Sequence, residues 1–372
     1  MTKPVPKPSC IREDTKDYRR LFLENTPFFD VRAPVEFNKG SVPGAVNLPL
    51  MTDSEREAVG IAYKNEGQEA AVVLGNTLVQ GVTKTDRVSL WAEFAVKNPF
   101  GYLFCMRGGM RSQISQRWMA EAGSPYPLVT GGYKALRRFL IEETDRLVAA
   151  TSFIVVAGRT GTGKTDFLGA VTNMIDLEGL ACHRGSSFGR RLAGQPSQIN
   201  FENMLAVSLM KVTDGYGGPV FIEDESRRIG GLEIPPVLSQ KMADAPTILI
   251  EEPIEERIEI IHRDYVAGMR AEYKAAFGKN GGFEHGAFLL AALARIKKRL
   301  GGMRHQAIEA LMQQALDTQC ETGSDDGHRT WIRRLLADYY DPMYEYQLAS
   351  HSRTILFSGS RAEAINWASS QT

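Results

Sequence analysis

A glycine-rich loop between an apolar strand and a helix constrains this chain more than any other feature. The strand pattern is Phe153–Ala157, and residues 158–165 then read Gly-Arg-Thr-Gly-Thr-Gly-Lys-Thr. This order satisfies GxxxxGK[ST] with a strand before it and a helical segment after it. The glycines let backbone N–H groups converge on phosphate oxygens without side-chain clashes. The pattern therefore predicts an α/β domain that binds a phosphate group.

Two residues of this phosphate loop have individual predicted contacts. Lys164 would neutralise the terminal phosphate, and the Thr165 hydroxyl is a candidate ligand for Mg²⁺. The motif indicates a ligand that carries a diphosphate, and it does not by itself establish ATP hydrolysis. The predicted phosphate-binding residues are Gly158, Thr160, Gly161, Thr162, Gly163, Lys164 and Thr165.

A second apolar strand, at residues 220–222, ends in the acidic residues Glu223, Asp224 and Glu225. It resembles the Walker-B strand that accompanies a phosphate loop, so Glu223 or Asp224 is a candidate to hold a metal ion through water. The alternative is an acidic strand end that is solvated at the edge of a sheet.

Strands alternate with helices along the 372 residues, which predicts parallel sheets in two α/β domains. We expect the first domain at residues 15–139 and the second at 150–372, with the boundary in the helix and short link around 140–152. Residues 255–320 are almost wholly helical in pattern, so the phosphate-loop domain is predicted to carry a largely helical C-terminal extension.

Composition limits the possible locations and partners. The chain has no run of 18 apolar residues, so we expect no membrane span. Lys+Arg and Asp+Glu balance at 44 each, which gives no support for a nucleic-acid partner, although paired arginines occur locally. Cysteines are few and far apart, which argues against a zinc site and a disulfide framework and favours a reducing cytoplasm. They are Cys10, Cys105, Cys182 and Cys320.

Cys105 stands apart from the other cysteines because of its surroundings. It follows a predicted strand at residues 100–104, and the loop Met-Arg-Gly-Gly-Met leads from it into a predicted helix. Backbone N–H groups of a tight loop, a helix N-terminus and the side chains of Arg107 and Arg111 all favour a thiolate, which is the nucleophilic form. We predict that Cys105 is catalytic and that Arg107 and Arg111 assist it.

The residues before this loop resemble the N-terminal signature of rhodanese domains, which transfer sulfur or selenium on a cysteine. Ser41 stands where such domains more often have a histidine. The matching residues are Asp30-Val31-Arg32, Glu36-Phe37, Gly40 and Pro43-Gly44-Ala45-Val46-Asn47.

One departure from the rhodanese pattern leaves two alternatives open. Five residues separate Cys105 from Arg111, whereas the common sulfurtransferase loop has four. The longer spacing matches the Cys-x5-Arg loop of tyrosine and dual-specificity phosphatases, which usually have a histidine where this chain has Phe104. The loop could therefore belong to a phosphatase, or to a transferase that accepts selenium from selenophosphate.

A rhodanese signature followed by a phosphate loop is similar to the tRNA 2-selenouridine synthases. The similarity runs nearly end to end, and the order and spacing of several further segments make it specific. These segments are residues 48–51, 131–136, 176–181, 183–186, 198–203, 223–227 and 339–344.

The resemblance implies a two-step replacement at the wobble base of a tRNA that carries a 2-thiouridine-type nucleoside. Sulfur is first alkylated with geranyl diphosphate, and selenium from selenophosphate then displaces the S-geranyl group. We assign geranyl diphosphate to the phosphate loop as a hypothesis. Cys105 is assigned to the selenium step as an S-selanylcysteine, with Arg107 and Arg111 steadying the departing phosphate. A selenophosphate-producing enzyme is the implied source of the donor, and no cofactor other than possible Mg²⁺ is expected.

Several roles stay open at this stage. Arg190, Arg227 and Tyr344 are candidate tRNA contacts, because exposed bases stack on aromatic rings and phosphates meet arginines. His183 is either an acid or base near the phosphate loop or a structural histidine. The rival enzyme is a P-loop ATPase or kinase fused to a sulfurtransferase or phosphatase domain. A non-catalytic scaffold that binds RNA or a nucleotide is the rival outside enzymes.

Overall fold

The computed structural model describes residues 12–350 and 353–371, so Cys10 lies outside the described residues. The chain forms two compact units. The first comprises the chain up to Arg146 together with Ser197–Lys211, and the second comprises Leu147–Pro196 and the chain from Val212 onward. Residues 197–211 lie within the range predicted for the second domain, and their contacts group them with the first unit.

Elements up to residue 150 alternate between short strands and helices, as the pattern predicts. The strands are β1 (Phe28–Asp30), β2 (Ala45–Asn47) and β3 (Tyr102–Phe104). The helices are α1 (Tyr18–Leu23), α2 (Pro34–Lys39), α3 (Asp53–Glu66), α4 (Gln68–Leu78), α5 (Gly81–Lys97), α6 (Met110–Glu121) and α7 (Gly132–Ala150).

The first sheet is parallel, with strand order β2-β1-β3. Asp30 pairs in register with Phe104, so β1 and β3 end side by side at the same edge of the sheet. Both strands are fully buried, which is why they read as apolar runs apart from Asp30. The edge where these strands end therefore brings the Asp30-Val31-Arg32 segment to the loop that follows Phe104.

Except for the helix at residues 198–213, most of which groups with the first unit, the elements after residue 150 build a second parallel α/β unit and a helical extension. The strands are β4 (Phe153–Ala157), β5 (Met174–Ile175), β6 (Val220–Glu223), β7 (Arg228–Ile229), β8 (Leu232–Glu233), β9 (Thr247–Ile250) and β10 (Ile355–Gly359). The first helices are α8 (Lys164–Ala170), α9 (Leu177–Leu180), α10 (Gln198–Thr213), α11 (Pro236–Ala243) and α12 (Ile254–Ile261). The last are α13 (Met269–Phe277), α14 (Gly281–Leu300), α15 (Gly302–Thr322), α16 (His328–Leu335), α17 (Asp341–Ser350) and α18 (Arg361–Ser369).

Helix α10 shows why residues 197–211 belong to the first unit. Asn200 accepts a hydrogen bond from the Ser41 amide at 2.8 Å, and Asn203 donates to the Ser41 carbonyl at 2.6 Å. A Cβ atom on Gly40 would lie 2.6 Å from the Ile199 side chain, so this close approach requires glycine. These contacts span about 160 residues of sequence, which a local pattern cannot reveal.

The second sheet has the order β10-β9-β4-β6-β5, and all of its strands are parallel. Its central strand, β4, is buried at every residue and leads directly into the phosphate loop. A loop that leaves the carboxyl end of a central parallel strand lies where such sheets bind ligands.

The predicted helical extension is confirmed, and glycines end its helices. Gly278 (φ 57°) follows α13 and Gly301 (φ 87°) follows α14, and both need the left-handed backbone conformation that glycine adopts readily. The helices pack around a core that includes Leu289, Ile308 and Trp331. In the described part of the chain, no helix combines the length and the apolar character that crossing a membrane requires.

Candidate functional site

The Cys105 loop joins β3 to α6 and is held from one side by α7. The amides of Tyr133 and Lys134, in the first turn of α7, donate to the carbonyls of Cys105 at 2.8 Å and Met106 at 2.9 Å. A Cβ atom on Gly132 would come within 2.3 Å of the Cys105 carbonyl oxygen, and Gly132 has φ 60°. Glycine at this position therefore allows α7 to fix the loop.

The backbone amides around Cys105 are available for an anion. Between residues 106 and 112, no amide donates to an acceptor among the described residues. Cys105 itself is buried, with 3% of its surface exposed. A loop of unpaired amides at a helix N-terminus is a ready site for an anion such as a phosphoryl group.

The two arginines of this loop have different environments. Arg111 forms two hydrogen bonds to the Glu36 carboxylate, at 2.6 Å and 3.1 Å. Arg107 is exposed, and its guanidinium has no ion pair within the described residues. The structure therefore gives Arg111 a fixed orientation, whereas Arg107 is free to meet a ligand.

Asp30 and Arg32 explain the rhodanese-like signature. Arg32 donates to the Asp30 carboxylate at 2.7 Å and to the Gly40 carbonyl at 2.9 Å, and both side chains are almost fully buried. Its guanidinium carbon lies 3.8 Å from the centre of the Tyr133 ring. Asn47 donates to the carbonyls of Asp30 and Arg32. The signature thus fixes the edge of the sheet on which the Cys105 loop rests.

The phosphate loop is shaped by two glycines and by the Lys164 side chain. Gly161 (φ 85°) and Gly163 (φ 75°) take left-handed backbone angles, and Lys164 donates to the Gly158 carbonyl at 2.8 Å. The amides of Thr160, Gly161 and residues 163–166 have no acceptor in the portion of the chain that the structure describes. The loop therefore offers several converging donors to a phosphate group.

A buried arginine outside the motif supports the phosphate loop. Arg257, at the start of α12, donates to the Thr160 carbonyl at 2.9 Å and to both carboxylate oxygens of Asp341, at 3.0 Å and 2.5 Å. It is 2% exposed. Sequence reasoning missed Arg257, because a single arginine in a helical pattern does not stand out from solvent-facing ones.

An acidic cluster lies beside Lys164, and it includes the predicted Glu223. The Glu178 amide donates to the Glu223 carboxylate at 2.9 Å. Burial, together with the neighbouring Glu178 carboxylate, raises the pKa of Glu223 well above its ordinary value. The same causes raise the pKa of Glu225 to about 8. A raised pKa favours the protonated carboxyl, which does not repel a diphosphate and is able to donate a hydrogen bond to it.

Asp224, the other predicted acidic residue, forms an ion pair with Arg353 at 2.7 Å. Among the described residues, no group of three or more His, Cys, Asp or Glu side chains is arranged to hold a metal ion. Thr165, Glu223 and Asp224 line one cavity with the phosphate loop. This cavity, of about 420 Å³, also has an apolar wall that includes Ile261, Tyr265 and Met343.

The candidate tRNA contacts lie in different places. Tyr344 lines the phosphate-loop cavity, and burial raises its pKa to about 12. Arg190 lines an adjoining cavity of about 790 Å³ that is also lined by Arg191, Arg295 and Arg299, and Arg191 lines both cavities. Arg227 is exposed and lines neither cavity.

His183 lies in the arginine-lined cavity rather than against the phosphate loop. It is 5% exposed, and its Nδ1 atom is buried without a hydrogen-bond partner in the described residues. Burial and the nearby Arg190 and Arg295 lower its pKa. Of the two roles predicted for His183, a neutral imidazole beside several arginines favours the structural one over an acid or base.

Together, the fold and the two loops define a chain that joins a rhodanese-like thiol loop to a P-loop phosphate site. The family model described as the tRNA 2-selenouridine synthase AAA domain matches residues 151–372, and the rhodanese-like domain model matches residues 14–138.

Relatives of known name match almost the whole chain. A tRNA 2-selenouridine synthase of Marinobacter nauticus is 51% identical over 97% of this chain and 99% of its own length. Those of Cupriavidus pinatubonensis and Alcanivorax borkumensis are 50% and 51% identical, over 96% and 95% of this chain and 98% of their own lengths. The chain belongs to the tRNA 2-selenouridine synthase family.

Proposed function

We propose that this protein converts 2-thiouridine to 2-selenouridine at the wobble position of tRNA through an S-geranyl intermediate. The proposal is carried by two loops in one chain, the Cys105 loop and the phosphate loop. In each loop, several backbone amides have no hydrogen-bond acceptor among the described residues. Two donor molecules, selenophosphate and geranyl diphosphate, each need such an anion site. A selenophosphate-producing enzyme supplies the first donor, and we infer a cytoplasmic location because tRNA is the acceptor.

In the first step, the phosphate loop binds geranyl diphosphate. The 2-thiouridine sulfur attacks the first carbon of the geranyl group, the carbon–oxygen bond breaks, pyrophosphate leaves, and the N3 proton passes to solvent. Lys164 and the loop amides stabilise the charge that develops on pyrophosphate. The apolar side chains of Ile261, Tyr265 and Met343 line the same cavity, which supports a prenyl diphosphate over a nucleotide.

We propose that a Mg²⁺ ion accompanies the diphosphate, and the Thr165 hydroxyl would be its protein ligand. Asp224 forms an ion pair with Arg353, and the buried Glu223 carboxylate accepts a hydrogen bond from the Glu178 amide. We therefore expect the ion to be held by Thr165 and the diphosphate oxygens, without direct ligation by either acidic residue. Removal of divalent cations with EDTA should slow geranylation, and full activity in EDTA would argue against this.

In the second step, Cys105 reacts with selenophosphate. The family resemblance implies that the Cys105 sulfur attacks the selenium atom. A sulfur–selenium bond forms, the selenium–phosphorus bond breaks, and phosphorus leaves with the electron pair as phosphite. The S-selanyl group then displaces geranylthiolate from C2 of the base. A cellular thiol must afterwards reduce the sulfur–selenium bond and release 2-selenouridine.

The loop geometry favours a second route, in which the Cys105 thiolate attacks phosphorus. A sulfur–phosphorus bond forms, the selenium–phosphorus bond breaks, and hydrogen selenide leaves to displace geranylthiolate from C2. Water then hydrolyses the phosphocysteine to phosphate, and no oxidation state changes. The five-residue spacing to Arg111 and the unpaired amides of residues 106–112 suit a phosphoryl group held over the sulfur. Phosphorus NMR separates the routes, because the first releases phosphite and the second orthophosphate.

Two substitutions test the division of labour. Lys164→Ala should abolish geranylation of a 2-thiouridine RNA while leaving selenation of a pre-geranylated RNA intact. Cys105→Ser should do the opposite, so that S-geranyl RNA accumulates when both donors are present. Geranylation that survives Lys164→Ala, or selenation at the wild-type rate in Cys105→Ser, would remove that residue from its assigned step.

The tRNA must reach both loops, and we propose that the arginine-lined cavity of Arg190, Arg191, Arg295 and Arg299 binds its phosphates. We propose that Tyr344 stacks on the target base at the phosphate-loop cavity and that Arg227 contacts the sugar–phosphate backbone of the tRNA. The balanced net charge of the chain makes such local clustering of arginines the main electrostatic attraction for RNA.

A further inference from the structure

An apolar cavity of about 260 Å³ lies in the first unit beside the Cys105 loop, and Arg111 is the one lining residue with an assigned role. It is lined mainly by α3, α4 and the first turns of α6. Its walls include Leu50, Val59, Val72 and Trp118, and Met110 and Arg111 line it from the start of α6. Cavities that bind small ligands are predominantly apolar with a few placed polar groups.

The cavity is continuous with the packing of the reactive cysteine. Leu50, Met51, Val79 and Trp118 line it, and the same four residues belong to the hydrophobic cluster that contains Cys105. A ligand in this cavity would therefore reach within one layer of side chains of the Cys105 loop.

The charge of the cavity restricts what it can hold. Arg111 is the one ionisable cation among its lining residues, and the Glu36 carboxylate already pairs with it through two hydrogen bonds. No lining residue is acidic. An uncharged apolar chain fits these walls, because a charged group placed there would lose its hydration without gaining a partner.

We infer that this cavity binds the geranyl chain of the S-geranyl-2-thiouridine intermediate and so presents C2 of the base to the Cys105 loop. The inference rests on the proposed function and deepens it. The geranyl group is bonded to the sulfur that selenium must displace, so the chain and the selenium donor have to lie next to each other. Binding the chain also holds the departing geranylthiol away from water while selenium takes its place.

Two neighbouring valines of α4 provide a matched test. Val72 lines the cavity, whereas Val73 is 66% exposed and does not. Val72→Asp places a carboxylate in the apolar wall, and Val73→Asp adds the same charge to the same helix at a solvent-facing position. Full-length variants are assayed in two reactions: selenation of a pre-geranylated anticodon stem-loop RNA with selenophosphate, and geranylation of the 2-thiouridine RNA with geranyl diphosphate.

We expect Val72→Asp to raise the KM of selenation for S-geranyl RNA by about tenfold or more, as loss of an apolar subsite does. Its geranylation rate should stay at the wild-type level, and Val73→Asp should match the wild type in both reactions. With S-methyl in place of S-geranyl RNA, the difference between the wild type and Val72→Asp should disappear.

Three results would overturn the inference. One is selenation by Val72→Asp at the wild-type KM. Another is loss of geranylation with selenation intact, which would assign the cavity to the donor chain. The third is measured on the wild type, so it does not depend on how the variant folds. An S-prenyl RNA with a diazirine at the end of its chain should crosslink to residues 59–79 or 110–118. Crosslinks confined to the second unit contradict the inference. A wild type that carries out neither reaction refutes the proposed function itself.

Discussion

Replacing Arg257 with methionine should destabilise the phosphate-loop unit strongly. Arg257 is 2% exposed and makes three hydrogen bonds, one to the Thr160 carbonyl and two to Asp341. Methionine keeps most of the side-chain volume but leaves the carboxylate of Asp341 without its partner. The side chain of Asp341 is 16% exposed, so water recovers only part of the loss.

The size of the effect follows from that burial. Removing one partner of a buried ion pair costs about 3–5 kcal/mol, and the partial exposure of Asp341 places this case at about 3 kcal/mol. For a unit of this size, that corresponds to a fall in Tm of roughly 6–12 °C. The loss of a donor to the Thr160 carbonyl should also loosen the phosphate loop and weaken binding of inorganic pyrophosphate.

Differential scanning calorimetry of the full chain measures the effect, and Arg333→Met is the control. Arg333 pairs with Glu255 at 3.1 Å, but the two side chains are 49% and 66% exposed. An exposed pair of this kind contributes at most about 1 kcal/mol. If Arg257→Met lowers Tm no more than Arg333→Met does, the claim that a buried ion pair supports the phosphate loop is refuted.

Three further predictions concern charge. Burial works against ionisation of Glu36, but hydrogen bonds from Arg111 outweigh it and lower the pKa of Glu36 below 4.5. The resulting stabilisation is present above pH 4.5 and is lost as the pH falls, so Glu36→Gln should lower Tm at neutral pH and converge with the wild type in acid, as circular dichroism melts would detect. Burial and Glu178 raise the pKa of Glu225 to about 8. The folded state then holds a proton that the unfolded state releases above pH 4.5, so the free energy of unfolding falls as the pH rises from 4.5 to about 8. Glu225→Gln should reduce the decrease of Tm with pH over this range. An unchanged slope of Tm against pH would contradict the prediction. Arg190→Ala should weaken tRNA binding and reduce the slope of log affinity against log salt by about one, measured by fluorescence anisotropy, whereas Arg138→Ala, at an exposed pair with Glu142, should leave the slope unchanged.

The two loops were predictable from sequence because their structure is local. Residues 158–165 lie between a buried strand and a helix, and the glycines at 161 and 163 have left-handed backbone angles. The Cys105 loop likewise follows a strand and precedes a helix. The conformation of such a loop depends mainly on consecutive residues. A sequence pattern therefore identifies the loop without knowledge of the fold.

The supports of those loops were not predictable, because they come from distant parts of the chain. Glu36 lies 75 residues from Arg111, and Arg257 lies 97 residues from Thr160. Residues 197–211 pack in the first unit through Asn200 and Asn203, although the pattern places them in the second domain. The apolar cavity is likewise formed by α3, α4 and α6 together, and no one of these helices reveals it.

The division of the reaction between two loops is tested most directly by omitting each donor in turn. The full-length protein is incubated with 2-thiouridine tRNA, geranyl diphosphate and selenophosphate, and the nucleosides are identified by mass spectrometry. We predict 2-selenouridine with both donors, S-geranyl-2-thiouridine alone when selenophosphate is omitted, and unmodified 2-thiouridine when geranyl diphosphate is omitted. Formation of 2-selenouridine without geranyl diphosphate, or the absence of both products, would contradict the account.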